Sequence, residues 1–134
     1  MKTLKFCIVI FSLLIIANST FAQTSIKSIQ IQFVSFYTTI DVNVDCEYFG
    51  QAFSEKKVKN VTNKLKDFDG FLKELKPSKN NIRPDVRAKI IIFRKNGIKD
   101  TLCFDGRNLG EYNGKPVVIG TNFQKYIKNI VGEK

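Results

Sequence analysis

The chain has 134 residues, a formal net charge of +10 and no histidine. The missing imidazole excludes Ser-His-Asp and Cys-His nucleophile pairs, the HExxH zinc helix and every His-containing zinc site. The eight glycines fit no phosphate-binding fingerprint, so an enzyme built here is confined to carboxylate, lysine, tyrosine or thiolate chemistry.

Lys2 and Lys5 precede an apolar run, "FCIVIFSLLIIA" at 6–17, and Thr20-Phe21-Ala22 has the small-x-small form of a cleavage site. This reads as a secretory signal peptide over 1–22. The run is too short for a membrane span, which takes about 20 apolar residues. Cleavage leaves a single domain, 23–134, with a net charge of +8 once Lys2 and Lys5 are gone. No other run is apolar enough to cross a membrane, so the expected location is periplasmic or extracellular.

In the segment after the leader, Ile29, Ile31 and Phe33 alternate with Gln30 and Gln32, which predicts a strand over 28–36. "IDVNVDCEYF", 40–49, puts Ile40, Val42, Val44, Cys46 and Tyr48 at one parity and acids or Asn43 at the other. Such a period predicts a second strand with one wet face. "KKVKNVT", 56–62, reads as a short strand. Leu65, Phe68, Leu72 and Leu75 then recur at helical spacing over 63–76, with Thr62 or Asn63 as cap and Pro77 as stop. "PSKNNIRPD", 77–85, is a loop by composition.

Asn96-Gly97 lies between "VRAKIIIFRK" and "IKDTLCF", and predicts a hairpin with a two-residue type I′ turn. That turn would pair Phe93 with Asp100, Ile91 with Leu102 and Ile90 with Cys103. Both hairpin faces are largely apolar, which places it centrally in its sheet. Asn113-Gly114 predicts another hairpin, with Pro116 near an edge. "TNFQKYIKNIVG" predicts a final helix with Phe123, Tyr126, Ile127 and Ile130 on one stripe, stopped by Gly132. The expected fold is α+β: an antiparallel sheet of five to seven short strands with two helices.

Two cysteines remain after cleavage, Cys46 and Cys103. Three readings stay open: a disulfide, favoured by export; two separate buried thiols acting as small hydrophobes; and a reactive thiol, for which no neighbouring base is evident. "DVNVD", 41–45, matches the opening of a calcium loop. Cys46 then replaces the required glycine and Ala52 the closing glutamate, so the spacing fits a strand face better. Asp85 and Arg87 in "RPDVR" read as a local ion pair or loop anchor, or as a binding site beside the sheet. Arg94, Lys95 and Lys99 crowd the first Asn-Gly turn and are further binding candidates.

Asp85-x-Arg87, the apolar strand to Phe93, Asn96-Gly97, Asp100-Thr101-Leu102-Cys103 and Asn113-Gly114 give the chain a pattern that resembles small uncharacterised exported proteins of Bacteroidota type. "TFAQ" at the cleavage point is similar to leader ends in that group. The resemblance implies compartment and fold, with no assigned chemistry.

The expected function is an exported, non-enzymatic binding domain, of inhibitor or immunity type, with an unknown protein partner and no cofactor. Two alternatives stand beside it: an envelope-surface binder of anionic lipid or glycan through its lysines, and a small enzyme using carboxylate or thiolate chemistry. No nucleic-acid motif is present.

Overall fold

Alternation of apolar and polar residues builds β1 (Ile26–Phe33), the strand around which the domain is assembled. A computed structural model describes residues 25–133; the expected leader, 1–22, lies outside them. Further strands are β2 (Lys57–Val61), β3 (Lys76–Pro77), β4 (Ala88–Arg94), β5 (Lys99–Phe104), β6 (Leu109–Tyr112) and β7 (Lys115–Val118). They form one seven-stranded sheet in the order β2-β1-β4-β5-β6-β7-β3, antiparallel throughout. The helices are α1 (Phe49–Ala52), α2 (Leu65–Lys73) and α3 (Thr121–Val131). The α+β class and the strand number agree with the sequence pattern. Among the described residues no helix is long and apolar enough to cross a membrane.

Both longer helices pack on one face of the sheet. Phe68 and Leu72 of α2, with Phe123 and Ile127 of α3, close over Ile29, Ile31, Ile90, Ile92, Leu102 and Phe104. Phe123 lies flat on Phe71 at 5.1 Å and meets Phe68 edge-on at 5.3 Å. Such pairs add about 0.5–1.5 kcal/mol each beyond their buried area. Neither expected cap on α2 is used. Lys64 precedes the helix in a left-handed conformation, φ 54°, and the Tyr126 hydroxyl donates to its carbonyl at 3.0 Å. The helix ends at Lys73, earlier than its pattern suggests, because Lys76 and Pro77 leave to pair with β7.

The two Asn-Gly turns differ. Asn113 and Gly114 both take positive φ, and Tyr112 pairs with Lys115 across a two-residue loop. At the first turn only Gly97 is left-handed. Gly97 N–H donates to the Arg94 carbonyl at 3.1 Å, and Arg94 N–H donates to the Ile98 carbonyl at 2.9 Å. This is a type I turn followed by a glycine bulge, a three-residue loop. The extra residue shifts the predicted register by one: Phe93 pairs with Lys99, Ile90 with Leu102, and Lys89 with Cys103. Ala88, Ile90 and Ile92 therefore share the helix-covered face with Leu102 and Phe104, and Cys103 projects to the other.

The predicted strand over 40–49 is not one. Residues 34–56 form a long excursion with only the four-residue α1 inside it. The Asp45 carboxylate accepts the Tyr48 N–H at 3.0 Å, a local bond that diverts the backbone from a ladder. β1 is already flanked by β2 and β4, so no sheet edge is open beside it. Four ties hold the excursion to the sheet face opposite the helices. Cys46 is disulfide-bonded to Cys103, with Cα atoms 5.6 Å apart. Val86 N–H donates to the Val44 carbonyl at 2.8 Å. Lys89 Nζ donates to the Cys46 carbonyl at 3.0 Å. Phe49, fully buried, packs with Val44, Val86 and Cys103 in a second small core.

Candidate binding site

Asp85 and Arg87 are brought together as a loop anchor. Arg87 Nη1 and Nη2 donate to the two Asp85 oxygens at 2.8 and 2.5 Å, and its Nε donates to the Thr38 carbonyl at 3.2 Å. Asp85 also accepts the Val44 N–H at 3.0 Å. With Arg87 only 5 % exposed, this pair connects both ends of the 38–44 segment to the start of β4.

Arg94, Lys95 and Lys99 do not form one surface with that pair. Seven strand residues separate the groups, roughly 20 Å. Arg94 is buried on the helix-covered face. Its Nε donates to Asp100 at 2.5 Å and its Nη2 to the Tyr112 hydroxyl at 3.3 Å, while Asp69 of α2 lies 4.0 Å from Nη1. Tyr112 and the Asn113 amide each donate to Asp100 at 3.0 Å. Burial alone would raise the Asp100 carboxyl. The Asn113 amide, the Arg94 guanidinium and the Tyr112 hydroxyl together hold it below its ordinary value. At Arg94 burial acts downward, but Asp100 and Tyr112 outweigh it and raise the guanidinium. This network fixes the second Asn-Gly turn to β5. Lys95 is exposed, and Lys99 sits 5.5 Å over the Phe93 ring on the other sheet face.

Several lysines of the middle third are tied down. Lys59 Nζ donates to the Ile130 carbonyl, Lys73 pairs with Asp69 at 2.8 Å, and Lys56 donates to the Gly50 and Phe53 carbonyls.

Charged and aromatic groups converge elsewhere. A cavity of about 410 Å³ is lined by residues 36–40 together with Asp85, Arg87, Asp105, Arg107 and Lys128. Four separate segments build it. Phe36 packs edge-on against Phe104 at 5.6 Å and lies directly over Gly106. Gly106 has φ +81°, and a Cβ there would stand 2.5 Å from the Phe36 ring, so both backbone and space require glycine. Asp105 Oδ1 accepts the N–H groups of Arg107 and Leu109 at 2.8 and 3.1 Å, fixing the turn that carries Arg107. Burial pushes the Asp105 carboxyl up, against those N–H groups and the Arg107 charge. From α3, the Lys128 ammonium lies 5.7 Å from the Phe36 ring and 5.5 Å from the Tyr37 ring. Glu133 accepts the Phe36 N–H at 2.9 Å, which ties the end of the chain to the start of the excursion.

The same excursion exposes large apolar side chains: Tyr37 at 70 %, Val42 at 72 %, Tyr48 at 54 %, and Ile40. A larger cavity, about 610 Å³, lies between the end of α2 and the start of α3 and is lined by Phe71, Leu75, Val118 and Phe123 with lysines at its edge. Phe36, Tyr37, Asp105, Arg107 and Lys128 escaped sequence reasoning because no spacing links them. The Asp105-Gly106 pair, a turn signal, was the one local clue. Compared with known proteins, the chain matches no family model, no curated protein and no solved structure.

Proposed function

We propose that this chain is an exported, non-enzymatic binding domain that contacts a protein partner through the 36–48 segment and the cavity beside it. The observation that carries the reading is the exposure of Tyr37, Ile40, Val42 and Tyr48 on an excursion anchored by a disulfide, a buried aromatic and a bidentate ion pair. Unanchored loops lose entropy on binding; an anchored one presents its side chains already ordered. Tyr and Arg are also the residues that most often dominate protein interfaces. Export is supported by the leader pattern over 1–22 and by the disulfide, which persists in oxidising compartments.

The non-enzymatic reading rests on what the residues are committed to. The chain has no histidine. Both cysteines after the leader are joined, which removes thiolate chemistry. Asp45, an acid of the 41–45 pattern, is engaged with backbone. Lysine-driven attachment to an anionic envelope surface is less well supported, since Lys56, Lys59 and Lys73 hold local structure.

The test is affinity enrichment from the native envelope with the exported protein, a Tyr37→Ala/Ile40→Ser variant and an Ile98→Ser control at another exposed position. A specific partner retained by the control and lost with the double variant is the expected result. Equal recovery by all three contradicts the reading. Hydrolase activity that disappears in Asp45→Asn while the unfolding midpoint is kept would replace it with an enzymatic one.

A further inference from the structure

We propose that the cavity beside the 36–48 segment is a carboxylate receptor, and that the group it takes is an acidic side chain of a peptide segment in the partner. The proposal rests on the binding reading above and names the chemistry of that site.

The lining carries three cations and two carboxylates. Arg87 and Asp85 cancel each other in their bidentate pair. Within the lining Arg107 and Lys128 then stand against Asp105, while the Glu133 carboxylate outside the lining is engaged by the Phe36 N–H. Among the described residues no ion pair engages either cation. Asp105 points one oxygen at two backbone N–H groups, so that oxygen is already satisfied. The lining thus keeps an excess of about one positive charge, which suits a monoanionic carboxylate better than a dianionic phosphate.

The two cations are complementary in form. A guanidinium presents parallel N–H donors that match both oxygens of a carboxylate. Lys128 is steered by the faces of Phe36 and Tyr37, which attract the ammonium without neutralising it. Its charge remains available to a ligand. The cavity falls within the ~300–1,000 Å³ range of ligand sites, roomier than a lone ion needs.

A peptide is favoured over an acidic glycan by the rim. Ile40 lines the cavity, and Val42 is exposed on the same segment. Branched aliphatic side chains offer nothing to sugar hydroxyls, whereas they pack well against the apolar residues that flank an acid in a peptide.

The experiment uses the protein expressed from residues 1–134 in an exporting host. Amide and arginine side-chain resonances are followed while an end-blocked hexaglutamate peptide, its hexaglutamine counterpart or an oligogalacturonate of matched charge is added to millimolar concentration. Hexaglutamate is expected to shift residues 36–40, 105–107 and 128 and the Arg107 side chain, and hexaglutamine to shift none. Arg107→Gln and Lys128→Gln should each weaken binding about tenfold, as loss of a hydrogen bond to a charged group does. Shifts confined to the lysines of β2 and α2, unchanged affinity in both variants, or binding of the oligogalacturonate in place of hexaglutamate would overturn the proposal. A partner that is lost with the Tyr37→Ala/Ile40→Ser variant yet retained by both glutamine variants would overturn the carboxylate and leave the binding reading standing.

Discussion

Arg87 precedes β4 and Arg94 ends it, and each is bound to an aspartate of its own neighbourhood. In sequence Arg87 reads as the ion-pair or anchor partner of Asp85, and Arg94 as a binding candidate beside the first Asn-Gly turn. Burial separates their roles from those of Lys95 and Lys99. Removing Arg87 leaves Asp85 partly buried and unpaired and releases the Thr38 carbonyl. Arg87→Ala is expected to lower stability by about 2 kcal/mol in urea unfolding, with signals of residues 36–44 losing dispersion. Asp100 has a pH signature. Its carboxyl is held lower in the folded chain than in the unfolded one, so its contribution is complete above pH ~4 and is lost as pH falls through the folded value. Asp100→Asn should therefore cost about 3 kcal/mol at neutral pH, because Arg94 loses its nearest counter-charge. The difference from the parent should narrow below pH ~4 in stability measured against pH.

The elements were legible to different degrees. β1, β4, β5 and both long helices follow their periodicity, β2 lies where a short strand is expected, and β6 and β7 follow from the Asn113-Gly114 turn. The 40–49 segment has the cleanest alternation in the chain and is not a strand. Alternation states which side chains would share a face, but a strand also needs a partner, and β1 already has two. The local bond from Asp45 and the link from Cys46 to β5 fix an irregular path instead. The hairpin register slipped by one because the same Asn-Gly dipeptide serves two turn types, and the choice depends on which residue takes positive φ. The Cys46–Cys103 disulfide is one of the three readings the sequence leaves open, and export favours it. Its position opposite Lys89, on the face away from the helices, followed only from the corrected register. The candidate cavity is illegible in the sequence because Phe36, Asp105, Arg107 and Lys128 meet only through the fold.

Two variants test the excursion and its contact with the sheet. The bond closes a loop of 57 residues, so Cys46→Ser/Cys103→Ser should lower stability by up to ~4 kcal/mol in the chain-entropy view. Residues 34–56 should lose amide protection first, before the sheet. Gly106→Ala strains a left-handed backbone and drives a methyl into Phe36. A loss of about 2 kcal/mol is expected, with ring-current shifts at Phe36 and Phe104 marking a displaced cavity wall.

Taken together, the domain is a seven-stranded sheet with helices on one face and an anchored excursion over part of the other. The helix face supplies most of the core, and the excursion supplies the exposed aromatics and the cationic cavity. The proposed division gives the buried sheet faces to folding and the exposed part of the excursion, with the cavity it shares with Lys128 of α3, to recognition. Site-specific photo-crosslinking in the native envelope tests that division, with a benzophenone side chain placed in turn at Tyr37, at Ile98 and at Val58. A single discrete adduct from position 37, absent from 98 and 58 and diminished by Arg107→Gln, is the predicted result. Adducts of equal strength from all three positions, or from 58 alone, would contradict it.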